Sequence, residues 1–171
     1  KFNLGTEVSK ITYEEPGLMK EKGTMYGVVG SYVYAEKWYA KVDGRYSFGQ
    51  VDYSSKDTGS VSGIDDYILE GRVLGGHVTL IKNLYGYLGL GYRYLNDNLG
   101  GKQTTTGQWG YERESNYVYL PLGVEYRTTN PVWNVIVSGE LDPMLGGKQI
   151  SHLETIPVTP SFSQLTNKQD C

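Results

Sequence analysis

The chain has 171 residues, a formal net charge of −3 and a pI of about 5.4, so it is long enough for one domain and lacks the basic surface that nucleic-acid binding requires. No apolar run reaches the roughly 18 residues of a membrane helix. With 16 Tyr and 23 Gly residues, the composition favours strands and turns.

Seven strands are predicted from alternating side-chain character. They cover Phe2 to Tyr13, Thr24 to Ala35, Trp38 to Tyr53, a segment starting near Asp66, Leu84 to Leu95, Asn116 to Arg127 and Val132 to Leu141. In the third strand Trp38 and Val42 lie on one face and Lys41 and Asp43 on the other, because successive side chains of a strand point to opposite faces. Long polar connections, 14–23, 54–65, 96–115 and 142–171, alternate with short turns.

Charged residues recur on one face of these strands. They are Glu7, Lys41, Asp43, Arg45, Glu70, Arg72, Arg93, Glu125, Arg127 and Glu140. Acids and bases are balanced in this set, and charges buried in the filled interior of a small barrel must be paired. The sequence therefore predicts an internal network of ion pairs.

Aromatic residues gather near the ends of the opposite, apolar face. They are Trp38, Tyr46, Phe48, Tyr92, Tyr94, Tyr126 and Trp133. Strands that cross a lipid bilayer carry aromatic girdles at both interfaces. This pattern predicts strands that span a membrane with their apolar face towards lipid.

Three stretches carry a family resemblance: YVYLPLGVEYR (Tyr117 to Arg127), LYGYLGLGYRY (Leu84 to Tyr94) and WYAKVDGRYSFGQ (Trp38 to Gln50). In these patterns the chain resembles the small eight-stranded outer-membrane β-barrels of Gram-negative bacteria, the OmpA/OmpX-like group within the porin-like barrels. The resemblance covers residues 2–141 and implies an up-and-down antiparallel transmembrane β-barrel of about eight strands. Residues 142–171 are predicted to form a long irregular extracellular loop.

The closing strand of such a barrel is not readable in this sequence. An open edge in lipid leaves backbone groups unsatisfied at several kcal/mol each. We therefore expect a missing segment to supply the eighth strand. A partner segment, or irregular pairing by Ile156 to Leu165, are the alternatives.

The resemblance implies a non-enzymatic protein of the bacterial outer membrane that requires no cofactor. Its partners would be outer-membrane lipid and a ligand or protein at the cell surface, contacted through the four long loops. Its role would be structural anchoring or surface recognition, with ion pairs filling the lumen in place of an open pore.

Two other functions stay open from the sequence. A soluble ligand-binding barrel would turn the same apolar face inward. A lipid-modifying outer-membrane hydrolase would use Ser151, His152 and Glu154, although neighbours on one loop rarely attain triad geometry. The two histidines and the lone Cys171 do not form a metal-binding pattern.

Overall fold

The computed structural model describes residues 1–128 and 135–157 and shows an all-β protein with one antiparallel, up-and-down sheet. The strands are β1 Phe2–Glu15, β2 Met19–Ala35, β3 Trp38–Ser55, β4 Gly59–Val78, β5 Leu84–Asn98, β6 Glu112–Tyr119, β7 Leu122–Arg127, β8 Ile136–Leu141 and β9 Met144–His152. A short 3₁₀ turn, Leu153–Thr155, follows β9. Within the described ranges, no helix has the length and apolarity needed to cross a membrane.

Two prolines divide the last part of the sheet. Both β6 and β7 pair with β5, and they are separated by Leu120 and Pro121. In the neighbouring position, β8 and β9 are separated by Asp142 and Pro143. Proline lacks the N–H that a strand ladder needs. Its carbonyl still pairs: Pro121 O accepts from Gly89 N at 2.9 Å and Pro143 O accepts from Leu120 N at 2.9 Å.

The nine strands therefore occupy seven ladder positions, which are β1, β2, β3, β4, β5, the β6–β7 pair and the β8–β9 pair. Since every ladder is antiparallel, the first and seventh positions run in the same direction. The described residues form no ladder between β1 and the β8–β9 position, so the sheet is open at this seam. The predicted irregular pairing by Ile156 to Leu165 falls largely on residues outside the described ranges.

The sheet is strongly curled. The Tyr39 hydroxyl on β3 donates to Glu125 Oε2 on β7 at 3.3 Å, and Arg113 Nη2 on β6 donates to Glu21 Oε1 on β2 at 3.0 Å. These contacts join strands that are not neighbours in the sheet, so one face is a concave interior and the other a convex exterior. An apolar cluster fills the interior near one end, and its members are Val33, Tyr39, Leu74, Tyr85 and Tyr87.

The prediction of long loops at 14–23 and 54–65 is wrong. Strands β1 and β2 continue to a turn at 16–18, and β3 and β4 continue to a turn at 56–58, so 14–23 and 54–65 are mainly the arms of two extended hairpins. On their convex side these arms carry polar residues such as Lys22 and Asp52, while Val51 and Ile64 are buried on the concave side. Because the outer face of these arms is polar, the arms lack the apolar outer positions by which the other strands were recognised in the sequence. The third predicted loop shortens to 99–111.

The prediction of irregular chain from Asp142 onward is also wrong for Met144–His152. This segment forms β9 and pairs with β6 along its whole length. The domain boundary predicted after residue 141 therefore falls inside one ladder position. The predicted start of the seventh strand at Val132, and Trp133 with it, lie outside the described residues.

Candidate functional site

The ten charged residues singled out from the sequence all lie in ion pairs on the concave face. Along β4 the concave positions run Leu74, Arg72, Glu70, Ile68 and Asp66. A charged layer thus lies between two apolar residues, and a second charged position follows beyond Ile68. We call the first layer, which is formed by Arg72 and Glu70 with the charged side chains that contact them, the central cluster.

Glu70 is the hub of the central cluster. It is 7% exposed, and its Oε2 lies 2.6 Å from Arg45 Nη2. Its Oε1 accepts from Arg93 Nε at 3.0 Å, from Arg93 Nη2 at 2.6 Å and from the Tyr119 hydroxyl. Gly91 makes this possible, because a Cβ at that position would lie 2.3 Å from the Tyr119 ring. One carboxylate therefore binds side chains from three other strands.

Arg72 forms the second part of the central cluster. Its Nε and Nη2 contact the two carboxylate oxygens of Asp43 at 2.7 and 3.1 Å, a bidentate pair, and its Nη1 contacts Glu140. Lys41 Nζ lies 3.1 Å from the same Asp43 carboxylate. Bidentate arginine–carboxylate pairs are among the stronger ion pairs of proteins. This group links β3 and β4 to β8 across the interior.

The remaining predicted charges lie at the two sides of this network. Glu7 on β1 is 3.6 Å from Arg45 Nη1 and accepts a hydrogen bond from Ser47 at 3.2 Å. Glu125 pairs with Arg127, whose guanidinium lies 5.8 Å from the centre of the Tyr39 ring. Aromatic faces attract cations at this distance. Each of the ten predicted charges thus has a partner of opposite sign, and this part of the interior is polar but neutralised.

The predicted interfacial aromatics, apart from Trp133, lie on the convex face. Five of them are at least two-fifths exposed: Trp38, Tyr46, Phe48, Tyr92 and Tyr126. Tyr94 is partly covered, since its ring packs 5.7 Å from that of Tyr67. The convex face is therefore the apolar one.

A second charged group lies near the two extended hairpins and was not predicted from the sequence. It consists of Glu21, Asp66, Asp97 and Arg113, and we call it the acidic chamber. Arg113 Nη2 lies 3.0 Å from Glu21 Oε1 and 2.8 Å from Asp97 Oδ2. Asp66 pairs with Asp97 in the β4–β5 ladder, and neither Asp66 Oδ1 nor Asp97 Oδ1 has a hydrogen-bond partner among the described residues. Three carboxyl groups thus lie near one guanidinium, which contacts two of them.

This imbalance shifts the protonation of the chamber. Burial, together with the Asp97 charge, raises the pKa of Glu21 to about 7. Burial and the charges of Asp97 and Glu21 raise the pKa of Asp66 to about 8. The same carboxylates raise the pKa of Arg113 despite its burial, so Arg113 stays charged. A carboxylate that is buried near other carboxylates favours its neutral form.

The serine and histidine considered for hydrolysis point to opposite sides of the sheet. Ser151 pairs with Arg113 on the concave side, and His152 pairs with Glu112 on the convex side. His152 Nδ1 lies 2.9 Å from Glu154 Oε1 and Nε2 lies 3.3 Å from Glu114, which raises the pKa of His152. A serine on the other face of the strand cannot transfer its proton to this imidazole.

In the described part of the chain, no group of three or more His, Cys, Asp and Glu side chains is arranged to hold a metal ion. A scan against models of protein families found no match, and searches of curated proteins and of solved structures found none either.

The hub role of Glu70 predicts a large loss of stability in Glu70→Ala. Removing one partner of a buried ion pair leaves an uncompensated charge, here on Arg93, while Arg45 keeps only its longer contact with Glu7, and costs roughly 3–5 kcal/mol. The free energy of unfolding in urea should fall by this amount in Glu70→Ala, at low and at high salt alike, because buried pairs are poorly screened.

Glu14→Ala provides the matched control. The exposed pair of Glu14 with Lys20, at 2.6 Å, joins two strands as the Glu70 pairs do. The decrease in the free energy of unfolding of Glu14→Ala should be too small to measure at high salt. Equal and salt-sensitive losses in both variants would contradict a buried network.

The acidic chamber predicts a specific pH dependence of stability. The pKa of Asp66 is about 8 when folded against an ordinary 3.8, so the folded chain holds a proton that the unfolded chain releases. The free energy of unfolding should then decline as pH rises from about 4 to about 8. Asp66→Asn should flatten this decline and be more stable than the parent at about pH 9. Parallel pH profiles for the parent and Asp66→Asn would contradict the prediction, and Asp57→Asn in an exposed turn is the control.

Proposed function

We propose that the protein is an integral β-barrel of the bacterial outer membrane, anchored by its convex face and serving a structural or surface-recognition role. The observation that carries this proposal is the division of the two faces of the sheet. Charged side chains are paired in the interior, while large apolar side chains cover the exterior.

The convex apolar surface extends over enough residues of a strand to cross a lipid bilayer. On β3 it runs from Trp38 through Val42 to Phe48, with exposures of 65, 55 and 54%. A tilted strand needs roughly 9–11 residues to cross the hydrocarbon layer. Beyond Phe48 the convex positions of β3 become polar, with Gln50 and Asp52. Soluble monomers rarely expose continuous apolar patches above a few hundred Å².

The same division argues against a soluble ligand-binding barrel, which would need its apolar face inside. In this structure Val42, Val73 and Leu90 are more than half exposed, whereas Glu70 and Glu125 are buried. In water, the apolar convex face of this sheet would be exposed to solvent and its charged face would be buried. A lipid environment provides the complementary surface for the exposed one.

The direction of the edge strands supports an eight-stranded barrel. Because β1 and the β8–β9 position run in the same direction, joining them directly would need a parallel ladder. One further strand, antiparallel to both, would pair each free edge in the pattern used by the rest of the sheet. We propose that such a strand closes the seam in lipid, where unpaired backbone groups cost several kcal/mol each.

Recognition would then take place at the end that carries the extended hairpins. The turns 16–18 and 56–58, the connection 99–111 and residues 153–157 all lie at this end of the sheet. A role as a lipid-modifying hydrolase has less support, because Ser151 and His152 face opposite sides of β9.

Membrane insertion through the convex face predicts that Val42→Arg impairs insertion. A charge at mid-depth on the lipid face costs roughly 2–4 kcal/mol, while the same change on a water-exposed face costs within about 0.5 kcal/mol. Refolding into liposomes, followed by urea titration, measures this cost. Ser54→Arg, on the same face of β3 but beyond the apolar band, should insert normally. Equal insertion of both variants would contradict the proposal.

The orientation predicts which lysines are accessible from outside the cell. Lys56 lies in the turn of an extended hairpin, and Lys37 lies in the short turn between β2 and β3 at the other end. An amine reagent that cannot cross the outer membrane should modify Lys56 on intact cells and Lys37 only after lysis, as read by mass spectrometry. The reverse labelling pattern would contradict this orientation.

A further inference from the structure

A cavity of about 420 Å³ lies at the end of the interior that carries the extended hairpins. Glu15, Glu21, Asp97 and Arg113 line it from β1, β2, β5 and β6, and Tyr53 lines it from β3. Its size falls in the range of small-molecule sites. The acidic chamber therefore opens into a space that can hold a ligand.

The connection 99–111 forms an ordered wall of this cavity. Thr105 N donates to Ser60 O at 2.9 Å, and Thr106 Oγ1 donates to Thr58 O at 2.7 Å. Lys102 Nζ donates to the carbonyl of Gly63. These bonds fix the connection to the β3–β4 hairpin, so the cavity is formed before any ligand arrives.

The cavity holds more negative than positive charge. Glu15, Glu21 and Asp97 line it with Arg113 as the one cationic side chain of its wall. Beside it lies Asp66, the ladder partner of Asp97, which is 5% exposed and whose Oδ1 has no hydrogen-bond partner within the described ranges. Asp97 is 3% exposed, and its Oδ1 also lacks a partner there. Buried carboxylate oxygens are normally paired, so the unpaired oxygen of Asp97, a residue that lines the cavity, is available to a hydrogen-bond donor on a ligand.

The walls favour an organic cation over a metal ion. Besides Tyr53, the rings of Trp109 and Tyr111 line the cavity. Aromatic faces attract ammonium groups, whereas Mg²⁺ and Ca²⁺ require several oxygen ligands around one point. The described carboxylates are not grouped in that way.

We propose that the acidic chamber binds a small organic ammonium ion, whose positive charge offsets the excess of carboxylates over Arg113. The ammonium group would contact Asp97, Glu21 and Glu15, and its carbon chain would lie against the aromatic wall. The inference rests on the interior cavity and not on the membrane assignment, so each can fail independently of the other.

Binding of a cation should release protons from the chamber. The ionisable groups that line the cavity are Glu15, Glu21, Tyr53, Asp97, Tyr111 and Arg113, and Asp66 lies beside it as the ladder partner of Asp97. Among these, the raised pKa values of Glu21 and Asp66 leave both carboxyls partly protonated near neutral pH. A bound ammonium stabilises their charged forms. Affinity should therefore increase as pH rises from about 6 to about 9.

Isothermal titration calorimetry of the full chain in detergent with putrescine tests the proposal. Butanediol, an uncharged molecule of similar shape, is the control ligand. Repeating the titration at about pH 7 in two buffers with different enthalpies of ionisation counts the protons released. We expect putrescine to bind with release of up to about one proton, and this number should approach zero at about pH 9. Butanediol should not bind.

Variants locate the binding to the chamber. Asp97→Asn should weaken the binding of putrescine at least about tenfold. Glu15→Gln, at the rim of the cavity, should weaken this binding less. Glu36→Gln removes one acid at the opposite end and should leave affinity unchanged. If Asp97→Asn does not fold, Glu15→Gln and proton release decide the outcome. The proposal is overturned if putrescine does not bind, if butanediol or Mg²⁺ binds as well, if no proton is released, or if the chamber variants bind like Glu36→Gln.

Discussion

The structure depends on one constraint, which is that the charges inside the curled sheet must be paired. Glu70 satisfies it most completely, because its carboxylate binds Arg45, Arg93 and Tyr119 from three other strands. Each of these side chains reaches Glu70 only if its strand keeps its register in the sheet. A slip by one residue would move every charge on a strand to the apolar face. The central cluster therefore specifies register and curvature together.

The two ends of the interior have different electrostatic character. In the central cluster acids and bases neutralise one another, as in the bidentate contact of Arg72 with Asp43. In the acidic chamber Glu21 and Asp97 share Arg113, and burial together with the charges of neighbouring carboxylates raises the pKa values of Glu21 and Asp66. On β4, Ile68 separates the two groups. The central cluster stabilises the fold, whereas the chamber retains unbalanced charge that a ligand or protons can offset.

The seam of the sheet and the two prolines lie in the same region. Pro121 and Pro143 interrupt adjacent ladder positions, and the second of these positions is the free edge. A free edge and a proline both leave backbone groups without ladder partners. The carbonyl contacts of both prolines keep the two positions aligned across the interruption. The region is the least regular part of a sheet that is otherwise continuous.

The sequence by itself determined the faces of the strands, because alternation has a period of two residues and is a local property. It placed Asp43, Glu70 and Arg93 on the face that became the interior. Only the tertiary structure decided the extended hairpins, since the outer faces of their arms are polar. It likewise decided β9, which is defined by its pairing with β6. It also decided the chamber, where Glu21 meets Arg113, 92 positions further along the chain. Such a meeting depends on how far the sheet curls, which no local pattern encodes.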